Sequence, residues 1–235
     1  EYVFQRGDYR FSVLSSRIIR VEKDEKRIFT DEATQTVICR DFDRPQFGFS
    51  QDNNKIVIKT DDIIFRFDLS KGKTESITLK DSRCVTNFKA GNLKGTYRTL
   101  DMINGSVRLG DGLMSTNGVS VVDDSKTVIV STDGTLKERR HIQKDEYYFA
   151  FGNDFRGCLK DFFKLCGSVP LVPRYCLGNW WSRYKDYSQQ EYIDLMKKFL
   201  ERDIPISVAT IDMDWHWVDV IKRFGKEDAL FRRDG

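Results

Sequence analysis

Apolar and polar positions alternate in short runs over roughly the first 150 residues. "YRFSVLS" (9–15), "RIIRVE" (17–22), "TQTVICR" (34–40), "NKIVIKT" (54–60), "DIIFRFD" (62–68), "SKTVIVS" (125–131) and "EYYFAFG" (146–152) are rich in β-branched and aromatic residues. Turn signals such as Asn117-Gly118 and Asp133-Gly134 separate them. Seven or more such strands with no helical pattern between them predict an antiparallel β-sandwich over 1–152 rather than a parallel sheet.

The period changes at residue 153. "NDFRGCLKDFFKLCG" (153–167) spaces Phe155, Leu159, Phe162, Phe163 and Cys166 for one helix face, with Gly167 as its C-terminal cap. Pro170 and Pro173 then mark a junction, so 153–173 reads as a linker helix and its exit. From 174 the order is extended segment, helix and strand. "RYCLGNWWS" (174–182) is extended, and Ser188 with Glu191 makes a capping box. Tyr192, Leu195, Met196, Phe199 and Leu200 then line one helix face, and "IPISVATID" (204–212) reads as a buried strand. Such a βαβ unit crosses over right-handed to a parallel neighbour. The stretch 174–235 therefore reads as the opening of an α/β domain. The fold class is mainly β: a sandwich followed by the first βαβ part of a barrel.

In parallel α/β folds, ligands gather at the carboxyl ends of the strands. "WWSRYKDYS" (180–188) and "IDMDWHW" (211–217) leave their strands at that end, so two loops rich in aromatic and charged residues converge. Asp212 and Asp214 are two apart and point to one side of an extended chain. Carboxylates so placed repel unless sugar hydroxyls, a metal or an arginine engages them. Trp180, Trp181, Tyr184, Trp215 and Trp217 offer flat apolar faces that suit the C–H patches of a pyranose. Plain packing competes as an explanation for each tryptophan, and a strand-end cap or a salt bridge for either aspartate. A metal is disfavoured, because His216 alone does not complete a ligand set, and no cofactor is expected. The glycine-rich stretch 94–118 contains neither GxGxxG nor GxxxxGK[ST] and reads as sandwich loops, with Asp101, Asp111, Asp123 and Asp124 as turn caps.

Composition narrows the partners. Thirty-nine Lys plus Arg against 36 Asp plus Glu leave a net charge of +3, too balanced for a nucleic-acid reader. "KERRH" (137–141), with His141, reads as a solvated face. No apolar run approaches the roughly 18 residues of a membrane helix. The first residues read as strand rather than leader, and five cysteines without a CxxC suggest reduced thiols. Both point to a cytoplasmic protein.

Four stretches taken together carry a resemblance: "GNLKGTYRTLDMINGS", "GLMSTNGVSVVDDS", "DFFKLCGSVPLVPRYCLGNWWSRYKDYSQQEYIDLMKKF" and "IPISVATIDMDWH". From about residue 90 to 216 the chain resembles glycoside hydrolase family 31, the α-glucosidase family, most specifically in "PRYCLGNWWSRY" and "IDMDWH". The resemblance implies a galactose-mutarotase-like sandwich before a (β/α)8 barrel. It also implies hydrolysis of α-linked glucosides with retention, by two carboxyl groups about 5–5.5 Å apart. By the same resemblance the nucleophile and acid/base lie beyond residue 235, and the segment alone is inactive. Asp212 matches a ligand of the sugar hydroxyls and Asp214 a supporting acid. Tyr184 falls at the aromatic wall of the sugar, with Trp181 and Trp215 as packing support. The residues after His216 depart from the family pattern. The expected partner is an oligosaccharide or α-glucoside. An incomplete barrel also exposes a strand edge, which predicts self-association. A stand-alone carbohydrate-binding module is the competing reading.

Overall fold

The computed structural model describes residues 2–95, 102–139, 144–212, 219, 221–222 and 224–225. The chain forms two compact units, Glu1–Val169 and Pro170–Gly235. In the first, strands β1 (Val3–Arg6), β2 (Tyr9–Ser15), β3 (Ile18–Lys23), β4 (Phe47–Asp52), β5 (Lys55–Thr60), β6 (Ile63–Asp68), β7 (Lys73–Leu79), β8 (Cys84–Val85), β9 (Val119–Asp123) and β12 (Lys144–Ala150) build two five-stranded sheets. The first sheet runs β1-β2-β3-β12-β9 and the second β4-β5-β6-β7-β8, each antiparallel throughout. A small hairpin joins β10 (Ile129–Val130) to β11 (Leu136–Lys137).

The strand period of two explains the core. Phe11, Val13, Ile19, Val21, Tyr148 and Ala150 of the first sheet share one core cluster with Ile56, Ile58, Phe65, Phe67, Ile77 and Leu79 of the second. The first sheet is buried on its other face as well, which is why β2 and β3 are buried along nearly their whole length. On that outer face Leu14, Ile18, Phe149 and Phe151 pack with Val37 and Phe42 and with Cys158 and Leu165 of helix α1 (Phe155–Cys166). Asp154 caps α1 by accepting from Gly157 N, and Gly167 ends it at φ 91°. Gly118, at φ 83°, sits where a Cβ would lie 2.5 Å from Gly152 Cα, so only glycine lets these two backbone segments touch.

The rest of the outer face is ionic. Arg10, Arg20, Glu22 and Asp145, all buried, project from β2, β3 and β12, and the 24–46 segment covers them. Arg20 Nε donates to Asp145 Oδ1 at 2.8 Å, and Arg10 pairs with Glu22 at 2.6 Å. Asp31 accepts from both arginines, at 2.7 Å from Arg10 and 2.8 Å from Arg20. Arg139 closes the layer at 3.1 Å from Asp124 and 2.8 Å from Asp145.

Several sequence expectations are corrected. "TQTVICR" is not a strand: apart from an isolated bridge at Thr34 it is irregular backbone, with Ile38 N and Cys39 N donating to Leu165 O at the end of α1. "SKTVIVS" contributes only Ile129–Val130 to a strand. "KERRH" is solvated at Lys137 and Glu138, but the Arg139 side chain is buried between two carboxylates; Arg140 and His141 lie outside the described residues. Of the suggested turn caps, Asp123 accepts from Ser125 N, Asp111 pairs with Lys94 at 2.6 Å and Asp124 belongs to the ionic layer. Asp101 lies outside the described residues. The five cysteines are free thiols, and burial pushes Cys158 up to about 12.

In the second unit a 3-10 turn (Arg174–Leu177) replaces the first half of the expected extended segment. Strand β13 (Trp180–Trp181), helix α2 (Gln189–Glu201) and strand β14 (Val208–Ala209) follow. β13 and β14 pair in parallel across α2, as the βαβ pattern requires. β14 is shorter than expected and not buried, with Val208 half-buried and Ala209 exposed. Ser188 accepts from Glu191 N, and Glu191 reaches back to Ser188 N at 2.9 Å, completing the capping box. Along the expected apolar face of α2, Tyr192, Leu195, Met196 and Phe199 are half-buried and Leu200 is exposed. No helix among the described residues is long and apolar enough to cross a membrane.

Candidate functional site

The parallel ladder sets two loop exits side by side. Trp180 pairs with Val208 and Trp181 with Ala209, and Thr210 N donates to Trp181 O at 2.9 Å. Ahead of the ladder, Ser207 N donates to Asn179 O at 2.8 Å and Asn179 Nδ2 to Pro205 O at 2.9 Å. A Cβ on Gly178 would fall 1.8 Å from Ser207 Oγ, so a glycine is needed where the chain leading into β13 passes the chain leading into β14. Helix α2 is tied to the same end: Tyr192 Oη donates to Thr210 O at 2.6 Å.

Beyond the carboxyl ends of β13 and β14, Ser182 Oγ donates to Asp212 Oδ2 at 3.2 Å. This bond joins the first residue after β13 to the third after β14. Asp212 is half-buried. Tyr184, two residues beyond Ser182, is 65% exposed and presents its ring to solvent. Trp181 turns inward onto Phe199 of α2, ring centroids 4.8 Å apart, with its Nε1 buried and without an acceptor among the described residues. Trp180 is exposed and its Nε1 donates to Cys176 O at 3.0 Å. Tyr187 packs edge-on against Tyr192 at 5.4 Å, and the Lys185 ammonium lies 4.9 Å from the Tyr187 ring centre.

Of the residues singled out in the sequence, Asp212, Tyr184 and Trp181 lie around this parallel pair, while Asp214, Trp215, His216 and Trp217 lie outside the described residues. Sequence reasoning missed Ser182, whose only signal is its place directly after the tryptophan pair, and Tyr192, which reads as one more apolar helix position. Chemically, the arrangement offers a carboxylate held by a neighbouring hydroxyl, and an exposed aromatic ring two residues further along the chain from that hydroxyl. Such a pair accepts hydroxyl hydrogens and packs a ring face. Among the described residues, no group of three His, Cys, Asp or Glu side chains could hold a metal ion.

Comparison with known proteins bears on this second unit most directly. Residues 169–232 match the family model described as the glycosyl hydrolases family 31 TIM-barrel domain. An α-xylosidase of Saccharolobus solfataricus is 36% identical over 75 residues, 32% of this chain and 10% of its own length. α-Glucosidase 2 of Bacillus thermoamyloliquefaciens is 33% identical over 70 residues, 30% of this chain and 9% of its own. The match thus spans a tenth or less of these curated relatives. Among solved structures, a GH31 dextranase of Flavobacterium johnsoniae in complex with glucose has a TM-score of 0.53 at 15% identity, over 98% of this chain and 36% of its own. A GH31 α-xylosidase from a soil metagenome, in complex with xylose, has a TM-score of 0.58 at 12% identity, over 92% and 41%. At such identities the structural likeness speaks for the fold: a β-sandwich followed by part of a barrel.

Proposed function

We propose, from the match of residues 169–232 to the family model described as the glycosyl hydrolases family 31 TIM-barrel domain, that the chain is a member of that family and forms the sugar-gripping part of a retaining α-glycosidase acting on α-linked glucosides. The observation that carries the reading is the Ser182–Asp212 bond at the carboxyl ends of two parallel strands. A carboxylate fixed there accepts hydrogen bonds from sugar hydroxyls, and each such charged bond is worth about 1.5–3 kcal/mol. Tyr184 supplies an exposed face for the ring's C–H patches.

Asp212 is assigned as a hydroxyl acceptor and not as nucleophile or proton donor. Retention needs two carboxyl groups about 5–5.5 Å apart with distinct roles. Asp212 and Asp214, two positions apart on one segment, are instead read as one ligand and its support. Trp181 serves as packing, on Phe199 of α2, and the resemblance gives Trp215 the same part. An α-glucosidase and an α-xylosidase both stand among the relatives, and the choice of glucose rests on the α-glucosidase resemblance of "PRYCLGNWWSRY" and "IDMDWH".

The test is Asp212→Ala in the protein that carries this chain. Activity toward an aryl α-glucoside should fall about tenfold or more in kcat/KM, as expected for one charged hydrogen bond. A change within twofold would remove Asp212 from the sugar site. Faster turnover of the matching aryl α-xyloside would reassign the sugar.

A further inference from the structure

Outside the second unit, the sandwich carries a concave feature lined by charged side chains. At one end of the first unit the β2–β3 turn, the β5–β6 turn and the β7–β8 turn meet the exit of β12. Together they enclose a cleft of about 280 Å³. Drug-sized ligands occupy pockets of roughly 300–1,000 Å³, so this cleft has room for a small ligand of about one ring.

Its lining is charged, paired and fixed. Arg17 is part of the lining. Its Nε lies 3.2 Å from Asp62 Oδ2, its Nη1 lies 2.7 Å from Asp154 Oδ2, and its guanidinium sits 5.4 Å from the centre of the Phe151 ring. Ser16 Oγ holds Asp62 from behind at 2.6 Å. Arg83, not itself part of the lining, joins two lining residues, Asp81 at 2.7 Å and Asn153 Oδ1 at 3.3 Å. Lys80 is held loosely, 3.5 Å from Asp62, with three quarters of its side chain exposed. Phe151, Leu79 and Ala150 supply the apolar part of the wall.

Arg17 and Lys80 line this space with Asp62 and Asp81, and Asp154 and Arg83, paired to Arg17 and Asp81, add one charge of each sign. An anion would meet the aspartates and a cation the arginine and lysine, so neither gains from the balance. A neutral polyol does gain. Each of its hydroxyls both donates and accepts, and vicinal hydroxyls need a donor and an acceptor side by side. The Arg17–Asp62 pair offers that arrangement in a fixed geometry, with little ordering left to do on binding. We propose that this cleft is a second carbohydrate-binding site, built from sandwich residues alone, which takes a single neutral sugar ring.

The test is an amide NMR titration of the 235-residue chain with maltose, and with sodium sulfate in a parallel sample. Saturable shifts with maltose, not sulfate, are expected at Arg17, Asp62, Lys80–Arg83 and Gly152–Asn153. They should disappear in the Lys80→Met, Asp81→Asn double variant, whose side chains are exposed enough to leave the melting temperature in place. Absence of saturable shifts at these amides would overturn the proposal. So would the same shifts with sulfate, or maltose shifts that survive in the double variant. Shifts around Ser182 and Asp212 report the other site, so failure there would count against the proposed function and leave this cleft standing.

Discussion

Arg20 and Asp145 lie 125 positions apart in the chain and meet in two parallel hydrogen bonds, Nε to Oδ1 at 2.8 Å and Nη2 to Oδ2 at 2.9 Å. Neither side chain is exposed at all. The pair stitches β3 to β12, while Arg20 also holds Asp31 and lies 3.0 Å from Glu22. Removing the guanidinium would leave Asp145 and Glu22 short of a partner in a dry layer. Breaking a buried pair in this way costs about 3–5 kcal/mol, whereas an exposed pair is worth about 1 kcal/mol or less. Arg20→Met should therefore unfold the sandwich at a much lower urea concentration, and Lys94→Met, which loses the exposed bond to Asp111, should scarcely move it. All four tryptophans lie beyond residue 169, so circular dichroism of the strand signal is the measurement that follows the sandwich.

The same layer sets a dependence on acid. Burial alone would push Asp145 up, but Arg20 and Arg139 hold it below the usual carboxylate range. Asp31 is likewise raised by burial and brought down further by Arg10 and Arg20. Burial raises Glu22, and its arginines only partly offset this. A depressed carboxylate contributes stability that is present above its unfolded pKa, near 4, and lost as pH falls through its folded value. A raised one works in the opposite sense: Glu22 favours the fold under acid and costs stability as pH rises past its unfolded value. Two depressed groups outweigh one raised group. The urea midpoint of the sandwich should hold from pH 7 to about 5 and fall below about 4. An Asp145→Asn variant should be less stable at pH 7, with a shallower fall under acid.

Helix α2 depends on its first turn. Ser188→Ala removes the acceptor for Glu191 N and one end of the capping box, a loss of about 1 kcal/mol. Trp181 packs on Phe199 of this helix, so tryptophan fluorescence should show the second unit melting earlier in urea. Ser188→Asp, which keeps an acceptor at the cap, should restore it. No change in the alanine variant would mean that the helix is held by packing alone.

Ser182 tests how Asp212 is held. Ser182→Ala keeps the carboxylate and removes one hydroxyl donor 3.2 Å away. The net worth of such a bond, about 0.5–1.5 kcal/mol, predicts a loss of roughly two- to tenfold in affinity for maltose, measured by calorimetry. Ser182→Thr should recover most of it. A melting temperature unchanged in both variants would separate this effect from folding.

The parts of the fold set by local chemistry were legible in the chain. The capping box at 188 and 191, the helix end at Gly167 and the parallel strand–helix–strand order all depend on residues within a few positions of one another. What failed depends on distant partners. "TQTVICR" is rich in β-branched residues and reads as a strand. Its backbone, however, bonds to Leu165 O, and Val37 serves as a plug in the outer cluster. Arg139 sits in a charged run that reads as solvated, and only the approach of Asp124 and Asp145 buries it. At the candidate site Asp212 and Tyr184 stood out by type and spacing. Ser182 did not, because a serine after two tryptophans has no meaning until the parallel register brings Asp212 across from it.

The segment that covers the outer face of the first sheet is gripped by two chemistries. Val37 and Phe42 sit in oil, while Asp31 and Thr34 sit in salt, the latter accepted by Asp124 at 2.8 Å. Apolar grip weakens in the cold. The hydration that competes with a buried ion pair weakens in the heat. A strap fastened at one end by each therefore has opposite thermal coefficients along its length, and no single temperature loosens both fastenings together.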